Sequence, residues 1–177
     1  MKIIDLSQEI YDSMPVYDSD PKVKIEDLHF IDQDGWNLKS LSFGSHTGTH
    51  VDAPIHMHSD AETLSDLKLD RFIGDAVRLS VGDKIPEGLG LLFDSGDFDL
   101  DLVDKILNLN SKFVAVSTKV DFPVEVERKL LGSGVITFTD LINVEAIPKG
   151  QVFTFFGVPL KIKKGDGSPI RAFVILN

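Results

Sequence analysis

The sequence predicts an α/β fold, a single domain over residues 1–177 with a mixed, largely antiparallel sheet and a few flanking helices. Short runs rich in β-branched and aromatic residues outnumber segments with helical spacing, and glycines bound those runs as hairpin turns do. A length of 177 residues with 42% hydrophobic content suits one core, and no repeat, low-complexity stretch or linker divides the chain.

Taken in order, strands are predicted at 2–6, 23–30 and 38–43 from their β-branched and apolar content. Helical spacing of apolar residues predicts a helix at 64–73, and strands follow at 76–81 and 89–93. A helix at 100–109 presents Leu102, Val103, Ile106 and Leu109 as a stripe for core packing. After a strand at 113–117, a helix at 124–131 starts behind Pro123 and stops at Gly132, as proline's fixed φ and glycine's freedom favour. Strands at 135–138, 152–162 and 170–176 complete the chain, with the aromatic run 152–159 reading as buried sheet. Residues 165–169, Gly-Asp-Gly-Ser-Pro, read as a turn feeding the last strand.

Eighteen Lys and Arg against 28 Asp and Glu give a net charge of -10. That balance argues against nucleic acid and anionic membrane as partners, and against strongly anionic substrates unless a local cation receives them. Arg171 is a candidate for such a cation, although an arginine behind a turn also serves by pairing a nearby acid. No stretch approaches the roughly 20 apolar residues of a membrane span, and Asp5 interrupts the first apolar run too early for a secretion signal. The absence of cysteine removes disulfide and thiolate chemistry and fits a reducing cytoplasm, the expected location. Gly88-Leu-Gly90 and Gly132-Ser-Gly134 lack the context of a phosphate loop.

Chemistry concentrates in residues 45–58, Ser-His-Thr-Gly-Thr-His-Val-Asp-Ala-Pro-Ile-His-Met-His, which hold four of the five histidines. Imidazole nitrogen and carboxylate oxygen are ligands of zinc, manganese and ferrous iron, and His46, His50 and Asp52 supply both donor types. A metal site is therefore the first hypothesis. One helix cannot gather positions 46, 50, 52 and 56, because Asp52 and His56 fall opposite His46 and His50. On a strand all four share a face, yet full extension would separate His46 from Asp52 by about 20 Å. The backbone must bend, and Gly44, Gly48 and Pro54 are where it can. The expected conformation is a strand that curls at Gly48 and leaves the sheet near Pro54. His58 reads as a solvated loop residue and His29 as an ordinary strand residue.

Residues 46–56, His-Thr-Gly-Thr-His-Val-Asp-Ala-Pro-Ile-His, resemble the signature of the cyclase family of metal-dependent hydrolases, which includes bacterial kynurenine formamidase and isatin hydrolase. Asp5-Leu6-Ser7, Met14-Pro15-Val16-Tyr17 and residues 165–171 are similar to that family's opening and closing segments. The resemblance implies that His46, His50 and Asp52 bind a first metal and that His56 is the proton donor and acceptor. It implies that Tyr17 stands where the formamidases have a tryptophan lining the substrate pocket, and that the chain forms homo-oligomers, dimers or tetramers. In the two-metal formamidases a histidine and a glutamate twelve residues apart help to bind a second ion, and the matching positions here are Glu127 and Thr139. With no histidine after His58, one divalent ion per subunit, zinc or manganese, is the simpler expectation. Glu127 itself lies in a charge run, 125–129, of the kind that coats a solvated helix face.

Three protein ligands leave coordination positions open, as a catalytic metal requires. A divalent ion lowers the pKa of bound water towards about 7 and polarises a carbonyl, so a hydroxide nucleophile becomes available. His56 can take the proton and return it to a leaving nitrogen. The expected function is metal-dependent hydrolysis of a C–N amide bond in a small molecule: a formamide, a lactam or a cyclic imide. The alternative is a metal-binding, catalytically silent relative that serves as a binding or assembly module. Tyr17 and Trp36 are the aromatic candidates for a pocket wall.

Overall fold

The structure, a computed structural model, describes residues 1–176. Its strands are β1 (Lys2–Asp5), β2 (Lys24–His29), β3 (Leu38–Ser42), β4 (His50–Asp52), β5 (Ile73–Leu79), β6 (Gly90–Phe93), β7 (Gly96–Asp97), β8 (Phe113–Ser117), β9 (Val120–Asp121), β10 (Ile136–Leu141), β11 (Val152–Phe156), β12 (Gly167–Pro169) and β13 (Phe173–Leu176). The helices are α1 (Ile31–Asp34), a single turn, with α2 (Leu100–Asn108) and α3 (Val124–Gly132). Nine strands form one sheet in the order β1-β13-β11-β5-β6-β8-β10-β4-β12. The three central pairings among β5, β6, β8 and β10 are parallel and the five outer ones antiparallel, so the sheet is mixed and largely antiparallel, as the sequence predicts.

Parallel strands are covered on both faces, which is why β8, Phe-Val-Ala-Val-Ser, is buried at every position. Its period of two sends Phe113 and Ala115 into one core and Val114 and Val116 into another. The second core receives Leu102, Val103 and Ile106 from α2 and Val126 and Leu130 from α3; three of the four residues expected in the α2 stripe thus reach the core, while Leu109 falls just past the helix end and outside it. Asp99 caps α2 by accepting from Leu102 N at 2.7 Å, and Pro123 stands at the start of α3. The first core is built on rings: Phe113, Phe138 and Phe155 have centroids 5.3, 5.1 and 4.9 Å apart. Phe153 and Phe155 are buried, as expected of the aromatic run.

The helix expected at 64–73 does not form. Asp66 accepts from Thr63 N and Oγ1 at 3.0 and 2.6 Å, Leu64 N donates to Gly165 O, and a 3-10 turn, Leu69–Arg71, follows. Leu64, Leu67 and Phe72 still reach the first core, so three anchors of a folded loop imitate helical spacing, while Leu69 stays exposed. Strand β5 starts early, at Ile73, because Ile73 pairs with Phe156. Strand β11 stops at Phe156 rather than 162: a side chain at Gly157 would collide with the rings of Phe138 and Phe155. Residues 167–169, expected within a turn, form the edge strand β12. Strands β2 and β3 make a separate two-stranded sheet, and Leu28, Phe30, Ile31, Trp36, Leu38 and Leu41 on and around it are 44% to 60% exposed. Among the described residues no helix is long and apolar enough to cross a membrane.

Gly90 of β6 lies against the Phe113 ring, where a Cβ would come within 2.2 Å of a ring carbon. Gly90→Ala is expected to cost about 1–3 kcal/mol in a urea titration. Gly74→Ala, whose Cβ would meet nothing nearer than 3.6 Å, should stay within roughly 0.5 kcal/mol of the native protein. Equal effects at the two positions would rule out the ring contact as the cause.

Candidate metal and proton-transfer site

Two bends shape residues 46–56. Gly48 has a φ of 61°, a left-handed conformation that glycine enters without a Cβ penalty, and it turns the chain into β4. Pro54 opens a 3-10 turn, Pro54–His56, that takes the chain out of the sheet. Both bends fall where the sequence places them. Strand β4 lies between β10 and β12, with Asp52 opposite Thr137 and Gly167, and His50 opposite Thr139 and Pro169. Strand register therefore carries Thr137, Thr139 and the neighbouring Asp166 to the histidines.

Asp52 is 1% exposed, and its Oδ1 lies 2.6 Å from His46 Nδ1 and 3.5 Å from His50 Nε2. Each imidazole is held from its far side: His46 Nε2 is 3.0 Å from Asp166 Oδ2, and His50 Nδ1 donates to Gly48 O at 2.6 Å. Ligand atoms of His46, His50 and Asp52 all lie within 4.8 Å of one another. A histidine that turns one nitrogen to a ligand group and fixes the other on a carboxylate or carbonyl has the geometry of a metal ligand, so this donor set fits a divalent ion.

His56 closes the 3-10 turn with its ring centroid 4.0 Å from that of His46 and its Nδ1 3.7 Å from Asp166 Oδ2. His46, His56 and Asp166 make a second convergent group that shares His46 with the first. Sequence reasoning misses Asp166, because a Gly-Asp-Gly-Ser-Pro segment reads as a turn; the available signal was a lone acid in a segment similar to the family's closing one.

Glu127 departs from the solvated face expected of its charge run. Helix α3 turns it inward, where Thr137 Oγ1 lies 2.8 Å from its Oε1 and 3.3 Å from Asp52 Oδ2. Thr139 Oγ1 is 2.9 Å from His50 Nε2. A cavity of about 790 Å³ joins these groups, and Tyr17, 75% exposed, belongs to its lining. Trp36 lies outside that lining, its ring 5.3 Å from His29 on the hairpin. His58 is docked rather than loose, with Nε2 2.7 Å from Arg128 O of α3. Arg171 donates to Asp5 at 3.0 Å and stands outside the cavity, which supports its pairing role and removes it as a receiver of anions.

Burial works against a charged His46, but the hydrogen bond and charge of Asp52 outweigh it and raise the imidazole to about 9. Burial also raises Asp52, yet the charges of His50 and His46 hold it below the usual carboxylate range. Glu127 is pushed up to about 8 by burial and the Asp52 charge, so its carboxyl is protonated at neutral pH. One Thr137 hydroxyl proton cannot serve two carboxylates, and this second proton resolves the crowding. Burial and the His46 charge lower His56, leaving it a neutral base. Burial raises Asp140 against the opposing pull of His50.

Both raised groups act in one direction on stability. Their contribution is complete below the ordinary values of 4.5 for Glu127 and 6.5 for His46, and is lost as pH rises through about 8 and about 9. Metal-free protein is therefore expected to lose thermal stability between about pH 5 and 9, by at least about 2–4 °C, the shift that ~1 kcal/mol gives in a chain of this size. Glu127→Gln, which cannot ionise, should flatten that decline. A melting temperature that climbs with pH in the presence of chelator would contradict both assignments.

Comparison with known proteins agrees with this geometry. A family model described as "Putative cyclase" matches residues 4–121, a span that includes both bends and all four residues from His46 to His56 discussed above. Kynurenine formamidase of Salinibacter ruber is 26% identical over 206 residues, covering 97% of this chain and 96% of its own. Isatin hydrolase A from Labrenzia aggregata, solved with benzyl benzoate, superposes with a TM-score of 0.85 at 19% identity, over 98% of this chain and 93% of that one. A structure described as a potential metal-dependent hydrolase with cyclase activity gives 0.76 at 22% identity, over 98% and 96%. The matched span, the curled mixed sheet and the bent histidine segment together place this chain in the cyclase family of metal-dependent hydrolases.

Proposed function

We propose that this protein hydrolyses a C–N amide bond of a small molecule, a formamide, lactam or cyclic imide, with a divalent ion on His46, His50 and Asp52 and with His56 as general acid and base. The observation that carries this reading is a histidine beside the ligand group: the His56 ring lies 4.0 Å from that of His46, tilted by 39°, on the cavity wall and outside the first ligand set. The relatives' names, kynurenine formamidase and isatin hydrolase, support the reaction class. Zinc or manganese, one ion per subunit, would supply a Lewis acid for the carbonyl oxygen and acidify a water.

The chain's own groups do the rest. Asp52 provides the buried negative charge that attracts a cation, and Gly48 and Asp166 hold His50 and His46 so that each presents one nitrogen. His56 accepts a proton from the attacking water, and Asp166 beside its Nδ1 favours the imidazolium that results. The same proton passes to the leaving nitrogen as the C–N bond breaks, so the amine departs neutral. Neutral Glu127 steadies Thr137 beneath Asp52, Thr139 borders His50, and Tyr17 offers ring surface to the substrate.

In metal-loaded protein, His56→Ala is expected to lower kcat by about 10²- to 10⁴-fold on aryl formamides, isatin-like lactams or cyclic imides, with metal content unchanged by elemental analysis. Full activity in that variant would remove His56 from the mechanism. Native protein with metal bound that is inert across the panel would overturn the reaction and leave the silent binding module.

A second copy of the chain is the occupant that the exposed hairpin fits. A lone two-stranded sheet is marginal in water, and six half-exposed apolar side chains leave on the order of 500 Å² uncovered, against about 800 Å² per partner in a stable interface. Trp36→Ser combined with Leu41→Lys should convert a dimer to monomer in sedimentation velocity while the sheet signal in circular dichroism persists. Native protein that sediments as a monomer at micromolar concentration would refute this assembly.

A further inference from the structure

Strand β10 changes register with β8 between Phe138 and Leu141, and Asp140 sits in that irregularity with a φ of 60°. Among the described residues it is the one non-glycine residue within a strand that has left-handed backbone. Its carbonyl accepts from Thr49 Oγ1 at 2.8 Å and from Gln8 Nε2 at 3.1 Å, which pins the backbone in place. Its side chain has a different fate. Asp140 lines the cavity, half-buried, and among the described residues no hydrogen bond or salt bridge holds its carboxylate, although the charge of His50 reaches it.

The rest of the lining sharpens the point. Asp20, Asp52, Glu127 and Asp140 all border the cavity, and no lysine or arginine does. Lys119, next to the lining residues Thr118 and Val120, pairs instead with Glu145 at 3.7 Å, and Arg171 is engaged by Asp5. Asp52 is already matched by His46 and Thr137, and Glu127 by Thr137. Asp140 thus presents its carboxyl group to the space where a substrate sits, with no lysine, arginine or hydrogen-bond donor of the protein on it and only the charge of His50 opposing its burial.

We propose that Asp140 is the specificity residue of this cavity and that it selects substrates carrying a protonated amine. The proposal rests on reading the cavity as that of an amide hydrolase, and adds the substrate's chemical class: an amide or lactam with a basic nitrogen away from the scissile bond. An ammonium group would meet the Asp140 carboxylate in a charge-assisted hydrogen bond. An amide bearing a carboxylate there would find no lysine or arginine in the lining to receive it. Aspartate is among the few residues that tolerate positive φ, so the bulge can place a charge where glycine would place none.

Calorimetric titration of zinc-loaded protein with benzylammonium and with its neutral counterpart, benzyl alcohol, tests this directly. Native protein is expected to bind the ammonium at least about tenfold more tightly, and zinc-loaded Asp140→Asn to bring the two within about threefold. Asparagine keeps the size and the tolerance for positive φ while removing the charge. Absence of the preference in native protein overturns the proposal, and so does a preference that survives in the variant, as it would if the amine merely ligated zinc. Binding is read without turnover, so the two readings fail separately. A protein that prefers the ammonium but cleaves no amide loses the proposed reaction, whereas one that cleaves neutral amides without the preference loses the role of Asp140.

Discussion

A carboxylate kept ionised at 1% exposure is the constraint around which this molecule is arranged. An isolated charge at such depth would cost several kcal/mol, so Asp52 is tenable only while His46, His50 and Thr137 surround it. Those three come from a loop, from its own strand and from the adjacent strand. Glu127 answers the same charge from a helix by keeping its proton. The site is thus a balance struck around one anion, and its donor set is one that fits a divalent cation.

Strand geometry makes the balance possible. With only three residues, β4 is a short plank between two antiparallel neighbours, and the cross-strand partners of its two site residues are small residues or a proline: Thr137 and Gly167 beside Asp52, Thr139 and Pro169 beside His50. Gly167 is forced, since a Cβ there would come within 2.4 Å of the His46 ring. The parallel centre of the sheet, buried on both faces, supplies the stiff platform from which β10 extends towards β4, and α3 lies across it with Glu127 directed inward.

Much of this was legible in the sequence because it was local. Gly48 and Pro54 announce bends where the ligand spacing demands them, and the apolar run at 113–117 announces the strand β8. What stayed hidden depends on partners remote in the chain. Asp166 becomes a site residue only because β12 joins the edge beside β4, and a three-residue edge strand has too few positions to show periodicity. Glu127 looks solvated within a run of charges, and only the crossing of α3 over β10 turns it towards Asp52. Leu64, Leu67 and Phe72 misled in the opposite sense, since anchoring a loop in a core and lining a helix can leave the same spacing. Of the two aromatic candidates, only Tyr17, which the resemblance already pointed to, lies at the cavity, while Trp36 lies on the hairpin.

The remoteness of those partners governs the order of assembly. His46 and Asp166 are 120 positions apart, and Thr137 and Asp52 are 85 apart. Closing loops of that length is entropically expensive, and chains dominated by such pairings fold slowly. During synthesis the histidine segment emerges well before β10 and β12 exist to receive it. Its donor atoms therefore converge only when nearly the whole sheet has closed. Completion of the site is in this sense a late event set by the fold's long-range topology, inherited from where two short strands lie in the chain.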